Sequence, residues 1–177
     1  MIKIILIGRC CRISFDFISL SLKQETSLFE WTWTDTLSEI NFIIRKIINN
    51  EKINIIRIDG NDFFEGTNIK TSHYIDKDYE SIVLRRRQRL IDNILSNDEI
   101  LFVRDDVLHT IQKQEIEDFF SLIKTINPSV SCKMLLLSDL ESFTIIEHPN
   151  LIHKKYDKSQ YLTYIEDICK SKFENNS

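Results

Sequence analysis

Short apolar runs alternate along this chain with longer segments in which apolar residues recur every three or four positions. The runs lie at residues 2–7, 53–58, 100–103, 133–137 and 151–153, and such runs are typical of strands buried on both faces of a sheet. The longer segments lie at 12–22, 37–48, 79–95, 113–126 and 159–170, and their spacing predicts amphipathic helices.

Alternating strands and helices predict an α/β fold with a mostly parallel sheet of about five strands. Because crossovers between parallel strands are right-handed, we expect a single doubly wound, three-layer sandwich of the Rossmann or flavodoxin kind. The 177 residues fit one domain over residues 1–172, followed by a frayed tail at 173–177. Ligands bind at the carboxyl ends of parallel strands, and the polar groups expected there are Cys11, the connection 59–78 with His73, and the stretches 104–109, 138–139 and 156–157.

The composition argues against nucleic acids and membranes as binding partners. The chain is 42% hydrophobic and 28% charged, as in ordinary globular proteins, and its net charge of −4 argues against nucleic-acid binding. No apolar stretch reaches the roughly 18 residues of a membrane span, and the N-terminal apolar run is too short for a secretory signal. We therefore expect a cytoplasmic protein with no nucleic-acid or membrane partner, whose oligomeric state the sequence leaves open.

The four cysteines, at positions 10, 11, 132 and 169, fit free thiols in a reducing compartment. No Cys-x-x-Cys pair is present. The sequence therefore predicts no disulfide framework, no bound metal and no cofactor.

The sharpest chemical signal is the start of the chain, where an apolar strand ends at Gly8 and a helix follows Cys11. Unpaired N–H groups at a helix N-terminus favour a thiolate and lower the pKa of a thiol. Cys11 is therefore a candidate nucleophile, and a small apolar residue packed at the strand end is the alternative. Cys10 points the other way if strand geometry persists, and we interpret it as structural.

His73 is the candidate general base because it lies in the long polar connection at the predicted ligand-binding edge. The alternative is an exposed loop histidine. His109, on the connection after the third strand, is the second candidate. One of the acids in the loop could orient His73, and these acids are Asp59, Asp62, Asp76 and Asp78.

Arginines and tryptophans supply the candidate substrate contacts. Arg104 ends a core strand at the predicted edge, where a guanidinium suits an anionic group. Arg86 and Arg89 lie within a helical run of arginines that forms either a solvated face, an anion clamp or a buried salt bridge. Trp31 belongs to the alternating aromatic series 29–33, which indicates either core packing over the sheet edge or a stacking wall for a sugar or base.

Gly8, Cys11 and Ser14 form the pattern Gly-x-x-Cys-x-x-Ser at the end of the first strand. This pattern resembles the signature of a bacterial and viral family of unknown function that is catalogued as papain-like cysteine peptidases. Further matches follow in order: residues 28–31 to its Pro-Phe-Asp-Trp element, 73–74 to its His-Asp step, 85–89 to its Arg-Arg-x-x-Arg helix and 100–104 to its third strand. Leu28, Glu30 and Tyr74 depart from it. The resemblance implies a cysteine peptidase, places Arg86 and Arg89 at the family's arginine spacing, and adds Ser14 to the expected substrate contacts.

Two functions follow. In the first, the protein is a cysteine-dependent hydrolase or acyl transferase acting on a small-molecule, glycan or peptide substrate. Cys11 attacks an acyl carbon, His73 is the base, and N–H groups of the first helix stabilise the oxyanion. In the second, a non-catalytic or transferase module binds a sugar, nucleotide or phosphate at the same edge. The two readings are separated by whether Cys11 and His73 lie within hydrogen-bonding reach.

Overall fold

A computed structural model describes residues 2–9, 11–22, 25–71, 73, 78–106, 111–139 and 145–170 of the protein. Its strands are β1 (Ile2–Leu6), β2 (Ile55–Ile58), β3 (Asn61–Phe64), β4 (Lys70–Thr71), β5 (Glu99–Asp106), β6 (Cys132–Ser138) and β7 (Leu151–Lys155). Its helices are α1 (Cys11–Ser19), α2 (Leu37–Ile48), α3 (Tyr79–Leu95), α4 (Lys113–Ile126) and α5 (Tyr161–Lys170), the last preceded by a 3₁₀ turn at Lys158–Gln160. The predictions for Cys10, Tyr74, Asp76, His109 and the tail fall outside the described residues.

The main sheet is parallel and has the strand order β1-β5-β6-β7. Successive side chains of its strands point to opposite faces. On one face Ile5, Phe102 and Met134 pack against helices α2, α3 and α4. On the other face the alternate positions, such as Leu6 and Val103, pack against α1 and α5. The α/β class is thereby confirmed, with helices against both faces of the sheet.

The predicted number of strands in this sheet was too high, because residues 53–58 do not belong to it. Within this run Ile55–Ile58 forms β2, which pairs antiparallel with β3 in a separate sheet of order β2-β3-β4. The connection is an Asp59-Gly60 turn in which both residues have positive φ, 49° and 77°, the conformation of a two-residue hairpin. Ile56 and Ile58 are exposed, so an apolar run alone did not identify a buried strand.

The small sheet also changes the interpretation of the connection 59–78, which contains β3 and β4 rather than only loop. Two main-chain hydrogen bonds between Trp33 and Lys70, of 2.7 and 3.0 Å, attach β4 to the segment before α2. This attachment brings His73, two residues beyond β4, towards the carboxyl edge of β1. None of the helices in the described ranges is long and apolar enough to cross a membrane.

Candidate active site

The thiol of Cys11 and the imidazole of His73 meet at the carboxyl edge of the main sheet. Cys11 is the first residue of α1 and is half-buried, and His73 is exposed. The Cys11 Sγ atom lies 3.0 Å from Nε2 of His73, within hydrogen-bonding reach. A thiol at a helix N-terminus next to an imidazole is an arrangement that favours a nucleophilic thiolate.

Thr71 holds the main chain of His73, and Trp31 packs against its ring. The His73 N–H donates to Thr71 Oγ1 at 3.2 Å, and that hydroxyl donates to the Trp31 carbonyl at 2.8 Å. The Trp31 ring meets the His73 ring edge-on, with 5.4 Å between centroids. Trp31 has a φ of 66°, a left-handed conformation that is rare for a bulky residue and persists only where its surroundings enforce it.

No carboxylate in the described part of the chain is hydrogen-bonded to the His73 ring. Asp62 instead binds Arg57 at 2.7 Å, and Asp78 accepts the Ser81 N–H at the start of α3 at 3.2 Å. Asp62 and Asp78 are therefore engaged elsewhere, and the expectation that a loop acid orients His73 stays a prediction. The described contacts that position His73 are the Thr71 hydroxyl on its main-chain N–H and the Trp31 ring against its imidazole.

Asp105 fixes the start of α1 from the other side. It is fully buried at the end of β5, where Oδ1 accepts the Arg9 N–H at 2.9 Å and Oδ2 lies 3.1 Å from the Arg12 guanidinium. These two partners flank the cysteine pair in sequence. One buried carboxylate therefore clamps the segment that presents Cys11.

Arg12 also contacts the residues that follow β6 and β7. Its Nη1 donates to Asp139 at 2.9 Å, and its guanidinium stacks 3.7 Å from the centroid of the Tyr156 ring. Burial opposes the charge on Arg12, but Asp105 and Asp139 outweigh it, so the pKa of Arg12 is raised. Burial and a 3.0 Å hydrogen bond to Asp16 raise the pKa of Tyr156 to about 12. The phenol therefore stays protonated as a donor to Asp16.

The other candidate substrate contacts lie deeper in the protein. Arg104 is fully buried and donates to the Ile7 carbonyl at 3.0 Å and to Thr34 Oγ1 at 2.9 Å, and burial lowers its pKa. Ser14 is buried within α1, one turn beyond Cys11. Both side chains are buried rather than at the surface. Their roles in binding a substrate stay predictions.

Arg86 and Arg89 hold the segment that carries Trp31. Arg86 is buried and donates to the Glu30 carbonyl at 3.2 Å, and Arg89 donates to the Thr26 carbonyl at 2.9 Å. Arg89 also pairs with Glu25 at 3.3 Å. These contacts tie both arginines to the segment before Trp31, and the anion-clamp role stays a prediction.

Sequence reasoning missed the contributions of Thr71 and Arg12. Thr71 lies two residues before His73, and Arg12 directly follows Cys11. Their partners, however, are 40 and 93 positions away along the chain. In the sequence, the only sign of either role is that the residue lies close to a candidate catalytic residue.

Comparisons with known proteins assign no family and no function to the chain. No protein-family model, curated protein or solved structure matches the chain. The resemblance to papain-like cysteine peptidases therefore stays a prediction. Across the described ranges, no three His, Cys, Asp or Glu side chains are grouped so that they could hold a metal ion.

Proposed function

We propose that the protein is a cysteine-dependent hydrolase or acyl transferase, with Cys11 as nucleophile and His73 as general base. The contact of 3.0 Å between Cys11 Sγ and His73 Nε2 carries this proposal. It joins two residues that are 62 positions apart, and both are accessible at the carboxyl edge of the sheet, where ligands of parallel α/β folds bind.

The chemistry follows the order of a cysteine acyl-transfer reaction. His73 takes the Cys11 proton, and the thiolate attacks the acyl carbon so that a C–S bond forms and an electron pair moves onto the carbonyl oxygen. N–H groups in the first turn of α1, which an α-helix leaves without internal partners, stabilise that oxyanion. The carbonyl then re-forms and the bond to the leaving group breaks. His73 gives its proton to that leaving group. Water or an acceptor alcohol or amine, deprotonated by His73, then releases the acyl group and restores the thiol.

The binding-module alternative has less support. It requires arginines available to a sugar, nucleotide or phosphate, but Arg86 and Arg89 donate to main-chain carbonyls and Arg104 is fully buried.

A cytoplasmic location and a small-molecule, glycan or peptide substrate complete the proposal. The order β1-β5-β6-β7 corresponds to the flavodoxin order without its second strand, which supports a doubly wound, three-layer classification.

Alkylation by iodoacetamide, followed residue by residue by peptide mapping, tests the dyad. Cys11 should react at pH 6 at least about tenfold faster than Cys132, because burial raises the pKa of Cys132 to about 11. His73→Ala should slow the alkylation of Cys11 itself at least about tenfold, because the thiol loses its base. His148→Ala is the matched control, because the His148 ring stacks on Phe120. A Cys11 that reacts no faster than Cys132, or that His73→Ala leaves unchanged, refutes the proposal.

A further inference from the structure

The solvent-facing side of α1 is apolar along the line that begins at Cys11. Phe15 and Ile18 follow Cys11 at the i+4 and i+7 positions, which places all three on one face of the helix. Phe15 is 59% exposed and Ile18 is 47% exposed. The outward face of a surface helix is normally polar, so this pair departs from the ordinary pattern beside the nucleophile.

This apolar face is continuous with the dyad. The Phe15 ring packs edge-on against Trp31 with 5.1 Å between centroids, and Trp31 in turn contacts the His73 ring. Side chains on a helix lean towards its N-terminus, so Phe15 leans towards Cys11. We call the surface formed by Phe15, Ile18 and Trp31 the apolar strip.

We infer that the apolar strip binds the alkyl chain of an acyl ester or thioester whose carbonyl carbon Cys11 attacks. This inference rests on the proposed function and names its substrate class. From Cys11 to Ile18 the helix advances about 10 Å, roughly the length of an octanoyl chain.

The chemistry of the strip favours an alkyl chain over a peptide or a glycan. The main-chain groups in the middle of an α-helix bond to one another, and Phe15 and Ile18 offer no hydrogen-bonding atoms. A peptide or sugar laid along them would leave its own polar groups without partners, which is costly. An alkyl chain has no such requirement.

Hydrolysis of p-nitrophenyl acetate, butyrate and octanoate by the full chain tests the inference, with the rate of Cys11→Ser subtracted. Each methylene buried on the strip is worth up to about fourfold in kcat/KM. We therefore expect kcat/KM to rise at least about tenfold from acetate to octanoate. Phe15→Ser and Ile18→Ser should each lower the octanoate-to-acetate ratio about threefold or more.

Leu84→Ser is the matched control, because Leu84 is 49% exposed on α3, and it should leave the ratio unchanged. Cys11-dependent hydrolysis that is equally fast for all three esters overturns the inference and leaves the proposed function standing. Absence of Cys11-dependent hydrolysis with every ester overturns both. A dimer that Phe15→Ser or Ile18→Ser dissociates would show that the strip is a subunit contact, which also overturns the inference.

Discussion

Asp105→Asn tests how the protein holds the start of α1, which carries Cys11. Asp105 is fully buried, and its two oxygens bind the Arg9 N–H and the Arg12 guanidinium. The amide removes the negative charge and turns an N–H group towards one of these donors. Breaking a buried ion pair by removing one partner costs about 3–5 kcal/mol. Because Arg12 is 25% exposed and keeps Asp139, we expect the lower end, about 3 kcal/mol, or a Tm lower by about 6–12 °C.

Urea unfolding followed by tryptophan fluorescence measures this loss, and Asp139→Asn is its control. Asp139 binds the same Arg12 at 2.9 Å but is 41% exposed, so its replacement should cost no more than about 1 kcal/mol, and less at high salt. Cys11 alkylation should also slow in Asp105→Asn, because the start of α1 is no longer fixed. Equal losses of stability in the two variants would show that burial does not set the strength of this clamp.

Three further outcomes are expected. Burial lowers the pKa of His153, whose Nδ1 accepts the Ile146 N–H at 3.0 Å. The folded state therefore favours the neutral ring, and stability should fall as pH drops below about 6.5. Urea midpoints of His153→Gln should depend less on pH, and an unchanged dependence would contradict this. Thr36→Ala removes the N-cap oxygen that accepts the Glu39 N–H and should cost about 1 kcal/mol in thermal unfolding, whereas no loss would mean that the cap is unimportant. The Tyr161 hydroxyl is buried with no hydrogen-bond partner in the described residues, so Tyr161→Phe should leave the free energy of unfolding unchanged or raise it by up to about 1 kcal/mol; a loss would contradict that environment.

The helices were the most predictable part of the fold because their signals are local. The bounds of α3 and α4 agree with the apolar spacing at 79–95 and 113–126, and the capping box of Thr36 and Glu39 marks the start of α2. The second strand was misassigned because an apolar run does not say which sheet a strand joins. Asp59-Gly60, a dipeptide typical of hairpins, was the local signal that could have shown the difference.

The candidate site likewise contains residues that the sequence identifies and residues that it does not. Cys11 was found from local sequence, because a strand that ends at a glycine before a helix is visible in a few residues. His73 was expected at the carboxyl edge of the sheet because residues 53–58 were assigned to the parallel sheet, but it lies there because β4 is hydrogen-bonded to Trp33. The supports of these residues were not predictable. Asp105 meets Arg9 across 96 positions and Thr71 meets Trp31 across 40, and such pairings arise only when the whole chain folds.

The small sheet has an evolutionary consequence. Cys11 is carried by the main sheet and its first helix, whereas His73 is carried by β2-β3-β4, which lies between α2 and α3. Changes of sequence within β2-β3-β4 can displace or remove His73 without altering the strands that support Cys11. Evolution can in this way alter the proposed base, and with it the proposed activity, while the parallel sheet stays the same.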